Sequence, residues 1–423
     1  GHDLRPSSPR IAKACAAAIR HAGGQVVYAG ALPTPALAFY AFSTNAPAIV
    51  VTGSHIPFDR NGIKFYREDG EISKADEYAI QCADVEVPLV LGIGDLPAVD
   101  KRVAEVYIRR YVDFFKEDCF KGLRIASYEH SSVARDLLFA ILSLLGAEVV
   151  KLGRTESFVP IDTEAVRPED IVNGKKWARQ YVFDAIFSTD GDADRPLIGD
   201  ETGEWLRGDI VGILCAKFLG IDTIVTPVSS NTLAEKIGWF GNVVRTKIGS
   251  PYVIAEMEKA KADSSTTVAG FEANGGFLLG SNIKRDGALL KALPTRDAIL
   301  PMLALLSLAR DRKLKLSQLV ASLPKRYTAS NRIQDFSKQQ SAALINHLLQ
   351  DSQFAARLLA PDAGAIVCID NTDGYRVTFS NDDIVHLRPS GNAPELRCYA
   401  ESGSQANALA LCTNCLAAIN NQL

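Results

Sequence analysis

Leu123-Arg-Ile-Ala-Ser-Tyr-Glu-His-Ser-Ser-Val-Ala-Arg-Asp-Leu-Leu-Phe-Ala-Ile-Leu-Ser-Leu-Leu-Gly-Ala-Glu-Val-Val-Lys151 is the stretch that decides the fold class. Its apolar pattern predicts a strand over 123–127, a helix over 132–145 with Gly146 as its stop, and a second strand over 147–151. A strand, a helix and a strand in succession is β/α alternation, the signature of a layered α/β domain.

Working outward, the alternation continues on both sides. Downstream, the apolar run 185–188 predicts a buried strand, and a third cycle begins at 222–226. It runs through a helix near Leu233, a strand at 243–246, a helix over 251–262 and a strand at 267–269. Upstream, Ser8 is a candidate N-cap with Pro9 at the first helical position. Ile11, Cys15, Ile19 and Ala22 then form one apolar stripe, closed by Gly23-Gly24. A strand at 25–28, a helical stretch at 37–42 and a buried strand at 48–51 follow.

After about Pro324 the texture changes. A polar helix near 338–349 precedes strands at 365–370, 375–380, 384–388 and 396–401, and a last helix covers 405–419. The intervening turns are Asn371-Thr-Asp-Gly374 and Asn381-Asp-Asp383, so this part is expected to be an α+β domain with a largely antiparallel sheet.

The expected architecture is therefore α/β, with three tandem α/β domains of mixed sheets and a C-terminal α+β domain around a central cleft. Domain boundaries are expected at 1–117, 118–206, 207–325 and 326–423. A chain of 423 residues is too long for one ordinary core, which agrees with several domains.

Composition narrows the partners. With 46 Lys and Arg against 49 Asp and Glu, the formal charge of −3 leaves no electrostatic footprint for nucleic acid or anionic lipid. No window approaches the roughly 20 apolar residues of a membrane helix, and no signal peptide is visible after Gly1. The eight cysteines are scattered and read as reduced core residues of a cytoplasmic protein. Cys412 and Cys415 lack a second pair or a nearby His to complete a zinc site. A small-molecule partner is expected.

Four polar loops sit at the ends of predicted strands, where parallel α/β sheets bind ligands. Thr52-Gly-Ser-His-Ile-Pro57, continuing to Lys64, places Ser54 where a strand breaks into a Gly/Pro turn. That setting suits a nucleophilic or phosphorylated hydroxyl; a turn or N-cap serine is the structural alternative. Ser188-Thr-Asp-Gly-Asp-Ala-Asp-Arg195 aims Asp190, Asp192 and Asp194 at one point, which like-charge repulsion disfavours without a divalent cation. An EF-hand would put Glu201 at its twelfth position but needs Gly where Arg195 stands, so a Mg²⁺ held by three oxygens with phosphate is the better reading, with a solvated acidic turn as the structural alternative. Gly270-Phe-Glu-Ala-Asn-Gly-Gly276 offers Glu272 and Asn274 to vicinal sugar hydroxyls, or is a glycine hairpin. Arg388-Pro-Ser-Gly-Asn392, with Arg397 beyond, suits a phosphate, or is a Pro-Gly turn.

Taken in order, the four loops resemble those of the α-D-phosphohexomutases, the phosphomannomutase/phosphoglucomutase family. Its pattern is T-[AG]-S-H-N-P with N-G-x-K, then D-G-D-x-D-R, G-E-x-[SN]-G and R-P-S-G. The resemblance spans essentially the whole chain and implies four domains with one loop each facing the cleft. It implies that Ser54 carries the transferable phosphoryl group, with Asp190, Asp192 and Asp194 binding Mg²⁺ beside it. Lys64, His55 and Arg195 would then stand at the reacting groups. Glu272 and Asn274 would hold sugar hydroxyls, Arg388, Ser390, Gly391, Asn392 and Arg397 the far phosphate, and Arg5 would join in substrate binding. Ile56 stands where the family usually has Asn, Gly276 where it often has His, and the family's opening strand has no counterpart before Gly1.

The resemblance further implies interconversion of hexose 1-phosphate and hexose 6-phosphate, mannose first, through a hexose 1,6-bisphosphate that also serves as activator. Phosphoglucomutase and phosphoglucosamine mutase are the alternatives; a metal-dependent sugar phosphatase or a non-catalytic sugar-phosphate binder are the further ones. A cytoplasmic monomer or homodimer is expected.

Overall fold

Arg124–Tyr128 and Glu148–Leu152 form parallel strands joined through the helix Arg135–Leu144, as the quoted stretch predicts. The computed structural model describes residues 1–86, 88, 92–263, 265–390 and 394–422. It divides into a first unit, Gly1–Val225 with Phe240–Asn242 and Ser250–Ser322, and a second, Thr226–Trp239 with Val243–Gly249 and Leu323–Leu423.

In the first unit the strand Arg124–Tyr128 lies between Glu148–Leu152 and the parallel strand Ala185–Thr189. Pro196–Gly199 then returns antiparallel along Ala185–Thr189, so the sheet is mixed. Residues 190–195 are the turn of that hairpin, and Ile186 and Phe187 behind it are fully buried. A strand whose both faces are apolar and covered gives its terminal loop a fixed platform.

The Ser54 loop is built on a smaller frame. Ala48–Val51 and Ile63–Tyr66 pair antiparallel, and residues 52–62 connect them. The chain start runs beside this ribbon, Asp3 N–H donating to Val51 O at 3.0 Å. The expected strand at 25–28 is not formed; among the described residues no strand lies alongside to complete a ladder, and the chain makes only an isolated bridge from Ala31 to His2. Ser8 also departs from expectation, since it lies inside the helix Ser8–His21 and its hydroxyl donates to Asp3 instead of capping.

The remaining strands of this unit include Val268–Phe271, Phe277–Leu279 and Leu293–Asp297, hydrogen-bonded in that order and antiparallel. Behind them the helices Gly208–Leu219 and Ile299–Asp311 pack on one another with almost every residue buried. Such uniformly apolar helices carry no 3.6-residue stripe, so their position in the core, not their pattern, fixes their orientation. The helix Arg102–Phe115 is tied in by Tyr107 and Tyr111, whose hydroxyls both donate to Asp297, at 2.7 Å from Tyr107.

The second unit is the expected antiparallel sheet, in the order Tyr327–Gln334, Glu395–Ser402, Ile384–Pro389, Tyr375–Phe379 and Ile366–Asp370. Helices Lys338–Gln350, Ser352–Leu359 and Gln405–Asn420 supply apolar residues to its core, which holds Leu348, Leu359 and Cys412 beside Val377, Leu387 and Cys398. The reading of all cysteines as core residues is corrected. Cys215, Cys398, Cys412 and Cys415 are buried, but Cys368 lies exposed on the edge strand and Cys82 is exposed too. All eight are free thiols. Among the described residues no helix is long and apolar enough to cross a membrane.

Candidate active site

Ser54 occupies a turn that L-residues avoid, with φ at +52°. Such a conformation costs of order 1–3 kcal/mol and persists where the surroundings over-determine it. Here they do. The Ser54 N–H donates to Thr52 Oγ1 at 2.8 Å, and Thr52 Oγ1 donates onward to Asp3 Oδ2 at 2.9 Å. Arg5 reaches under the turn, donating to Ser54 O at 3.0 Å and to Ile56 O, while it pairs with Asp3 and stacks on Phe158 at 4.1 Å.

Arg5 is 1% exposed, and its Nη1 and Nη2 meet Asp3, Ser54 O and Ile56 O, so it supports the Ser54 turn.

Against this turn stands the acidic hairpin. Ser54 Oγ donates to Asp190 Oδ2 at 2.7 Å and lies 3.4 Å from His55 Nδ1. The two loops touch closely enough that a Cβ on Gly191 would sit 2.9 Å from Ser54 O, which only glycine permits. Thr34 clamps the hairpin from a third segment, its N–H on Asp192 O at 2.9 Å and its Oγ1 on Asp192 Oδ2 at 2.8 Å.

Three cations converge on the acidic hairpin. Lys64 Nζ lies 2.7 Å from Asp192 Oδ2 and 2.6 Å from Asp194 Oδ2. Arg296 Nη2 lies 2.8 Å from the same Asp194 oxygen, and Arg195 Nε 3.6 Å from Asp194 Oδ1. Arg195 Nη1 also meets His55 Nδ1 at 2.8 Å, and the His55 ring is pushed below its ordinary pKa by burial and then by this guanidinium.

The cations do not serve the carboxylates equally. Burial would raise Asp194, but Arg296, Lys64 and Arg195 outweigh it and hold the group well below the usual carboxylate range. Asp190 goes the other way, driven well up by burial and by Asp192 and Asp194. For Lys64, burial opposes the charge and the two aspartates more than restore it, so its pKa is raised.

A divalent cation fits these residues. Asp190, Asp192 and Asp194 are buried and offer one oxygen each within 4.8 Å of one another. Asp192 Oδ1 and Asp194 Oδ1 are buried without a hydrogen-bond partner, an arrangement that is costly unless an ion accepts them.

The third loop, residues 270–276, meets this cluster through Arg296. Glu272 accepts from Arg296 Nη1 at 3.3 Å. Asn274 folds its Oδ1 onto Gly276 N–H at 2.9 Å, and its carbonyl receives Thr163 Oγ1 at 2.6 Å. Ser54, His55, Lys64, Asp190, Asp192, Asp194, Arg195 and Glu272 are thus joined by successive polar contacts in one unit.

The fourth loop belongs to the second unit. There Arg388 Nε lies 2.8 Å from Asp373 Oδ2, Ser390 N–H donates to Glu395 O at 2.8 Å, and Arg397 pairs with Glu395 at 3.6 Å. Gly391 and Asn392 lie outside the described residues.

Sequence reasoning missed Asp3, Thr34, Arg296 and Thr163. Arg296 left no clear trace, since it stands between Thr295 and Asp297 in Leu293–Asp297; Thr34 and Thr163 left none either, being ordinary polar residues until folding brings them to the loops.

The fold and the site together define an α/β protein in which a buried serine and a three-carboxylate metal loop share one centre. Residues 1–83 match phosphoglucomutase/phosphomannomutase alpha/beta/alpha domain I, and residues 207–327 match domain III of the same family. The chain is 51% identical over 421 residues to a phosphomannomutase of Salmonella muenchen, covering 100% of this chain and 87% of that one. A phosphomannomutase of Sinorhizobium fredii is 46% identical over 429 residues, covering 100% and 90%. Among solved structures, a phosphoglucomutase/phosphomannomutase family protein of Burkholderia thailandensis superimposes with a TM-score of 0.77 at 23% identity, over 99% of this chain and 88% of that one. The chain belongs to the phosphoglucomutase/phosphomannomutase family.

Proposed function

We propose that the protein is a phosphohexomutase acting on mannose phosphates, interconverting the 1-phosphate and the 6-phosphate through a phosphoserine at Ser54. The observation that carries this reading is full-length identity of 51% to a phosphomannomutase, combined with a serine hydroxyl 2.7 Å from an acidic metal loop. The reading includes Mg²⁺ as the cation and a hexose 1,6-bisphosphate as activator. A cytoplasmic location is included, supported by the absence of any disulfide among eight cysteines.

In the first half-reaction a sugar hydroxyl attacks the phosphorus on Ser54, and the bond from phosphorus to Oγ breaks as the bond to the sugar oxygen forms. In the second, Ser54 Oγ attacks the other phosphorus of the bisphosphate, the bond from that phosphorus to its sugar oxygen breaks, and the proton of Oγ passes to the sugar oxygen released. The proton lost by the sugar is regained at Ser54 Oγ, where His55 Nδ1 and Asp190 Oδ2 are the adjoining polar atoms. Mg²⁺ held by Asp190, Asp192 and Asp194, with a phosphoryl oxygen of Ser54, would draw charge from the group in transfer. Lys64 and Arg195 supply fixed positive charge at the same place, so little reorganisation is needed as charge develops. Glu272 and Asn274 orient the sugar ring, and Arg388, Ser390 and Arg397 bind the phosphate that does not react. Positioning is the main task, since phosphoryl transfer asks for little covalent chemistry from the protein.

The experiment is a coupled assay on mannose, glucose and glucosamine 1-phosphates, started with the bisphosphate, with inorganic phosphate followed in parallel. Conversion of mannose 1-phosphate with no phosphate release is expected. Net phosphate release would make the protein a phosphatase, and preference for another sugar would reassign the substrate.

A further inference from the structure

Arg296 stands between two loops that the reaction has to use together. It lies on the strand Leu293–Asp297, and its neighbours in the chain fix that strand: Thr295 Oγ1 donates to Glu71 Oε1 at 2.5 Å, and Asp297 accepts from Tyr107 and Tyr111. Its side chain is 13% exposed. One edge of the guanidinium takes Asp194 Oδ2, from Nη2 at 2.8 Å and Nε at 3.1 Å. Nη1 takes Glu272 Oε2 at 3.3 Å. A planar fork with separate donors is what two carboxylates on different loops require.

The two contacts are unequal in consequence. Asp194 Oδ2 is also held by Lys64 at 2.6 Å, so it keeps a cation if Arg296 is lost. Among the described residues, the Glu272 carboxylate has Arg296 as its ion-pair partner and hydrogen-bond donor. Glu272 is 5% exposed, so without that guanidinium a nearly buried carboxylate is left unpaired and free to turn. The sugar loop is shaped for this contact: a Cβ on Gly276 would stand 2.6 Å from Arg296 Cδ. Glycine at 276 leaves the space in which the arginine lies.

We propose that Arg296 is a positioning residue for the sugar, aiming Glu272 at a ring hydroxyl, and that Gly276 is its steric counterpart. This rests on the mutase reading for the identity of the sugar phosphate. Arg296→Met, which keeps length and removes the fork, is expected to raise KM for mannose 1-phosphate ten- to a hundredfold. Mn²⁺ affinity, measured by calorimetry on the protein without sugar, should change less than threefold because Lys64 still holds Asp194. Gly276→Ala should reproduce the KM effect by displacing the arginine, and the double variant should be no worse than either single one. Arg296→Lys, with one ammonium in place of the fork, should recover part of the loss.

The readout that a merely structural role would not move is hydroxyl dependence. Calorimetric binding of mannose 6-phosphate and of its 3-deoxy and 4-deoxy analogues should show wild type penalising one deletion, with the penalty gone in Arg296→Met and in Glu272→Ala. Raised KM in Glu272→Ala beside wild-type KM in a folded Arg296→Met would overturn the role of Arg296 alone. No effect of Glu272→Ala on sugar binding would overturn both the sugar-loop reading and this inference. An Arg296→Met variant with unchanged KM but Mn²⁺ affinity lowered tenfold or more would assign the residue to the metal loop instead.

Discussion

The Ser54 hydroxyl donates to Asp190 Oδ2 at 2.7 Å, bringing together residues 136 positions apart. A hydroxyl in that place is adjacent to the metal oxygens and bound to a group already burdened by like charge, since Asp190 is driven upward by burial and its neighbours. Ser54→Ala deletes the oxygen to which the proposed function assigns the phosphoryl group. Turnover is expected to fall by several orders of magnitude while mannose phosphate binding persists, and labelled phosphate should no longer enter the protein. Turnover within about tenfold of wild type would rule out a phosphoserine intermediate.

Metal removal tests the two orphaned oxygens, Asp192 Oδ1 and Asp194 Oδ1. A chelator should abolish activity reversibly, and Mg²⁺ at a hundred times its dissociation constant should stabilise the fold by about 2.7 kcal/mol. Thermal unfolding with and without Mg²⁺ checks this independently of catalysis. Asn at 190, 192 or 194 should shrink the shift; an unchanged melting curve on adding Mg²⁺ to wild type would remove the ion from this site.

Arg5 and Asp3 form a buried pair under the Ser54 turn. Arg5→Met leaves the Asp3 carboxylate unpaired, which typically costs about 3–5 kcal/mol, and withdraws the donors from Ser54 O and Ile56 O. Denaturant unfolding should report the loss, and adding Asp3→Asn should restore part of the stability. Ser54 labelling should remain impaired in the double variant, because the carbonyl support is still missing. Full labelling there would make Arg5 a stability element only.

Acid sensitivity is expected in the second unit. His386 is buried against Tyr399 and its Nε2 lies 2.6 Å from Asp373 O, with burial holding its pKa down to about 4 from 6.5. The unfolded chain therefore binds the proton first as pH drops below 6.5, so stability declines from there and levels off near 4. At roughly one pKa unit per 1.4 kcal/mol, the expected loss is about 2 kcal/mol at pH 5. His386→Asn should flatten the difference between unfolding free energies at pH 7.5 and pH 5; an identical pH slope in wild type and variant would place the titration elsewhere.

Much of this was legible because local pattern and tertiary role coincide. The run 185–188 is apolar on both faces and precedes an acidic turn, and it is a covered strand ending in the metal hairpin. The strand expected at 25–28 failed because an extended, β-branched run becomes a strand only when a partner lies beside it, and pairing is not a local property. Cys368 misled in the same way: apolar neighbours signal burial, but Ile366–Asp370 is an edge strand with its middle exposed. Arg296 and Thr34 escaped notice because their importance comes from the distant carboxylates they meet, 102 and 158 positions away along the chain.

The proposed function assigns Arg388 to the phosphate that does not react, and that assignment can be tested apart from the chemistry. Its Nε lies 2.8 Å from Asp373 Oδ2, and the same carboxylate oxygen accepts the Ile248 N–H at 2.9 Å, so the guanidinium is held in place. Arg388→Ala removes a charge-assisted contact to phosphate of roughly 1.5–3 kcal/mol, or about ten- to a hundredfold in kcat/KM. The loss is expected with both the 1-phosphate and the 6-phosphate, because one clamp must hold whichever phosphate is not reacting. Labelling of Ser54 from the bisphosphate should still reach completion at high concentration, since Arg388 takes no part in the bond that forms. Asp373→Asn leaves Arg388 in place with a weaker hold, and a smaller loss of the same kind should follow. Unchanged kcat/KM in both directions would make 388–390 a structural turn, and a loss confined to Ser54 labelling would mean that Arg388 serves the reacting phosphate instead.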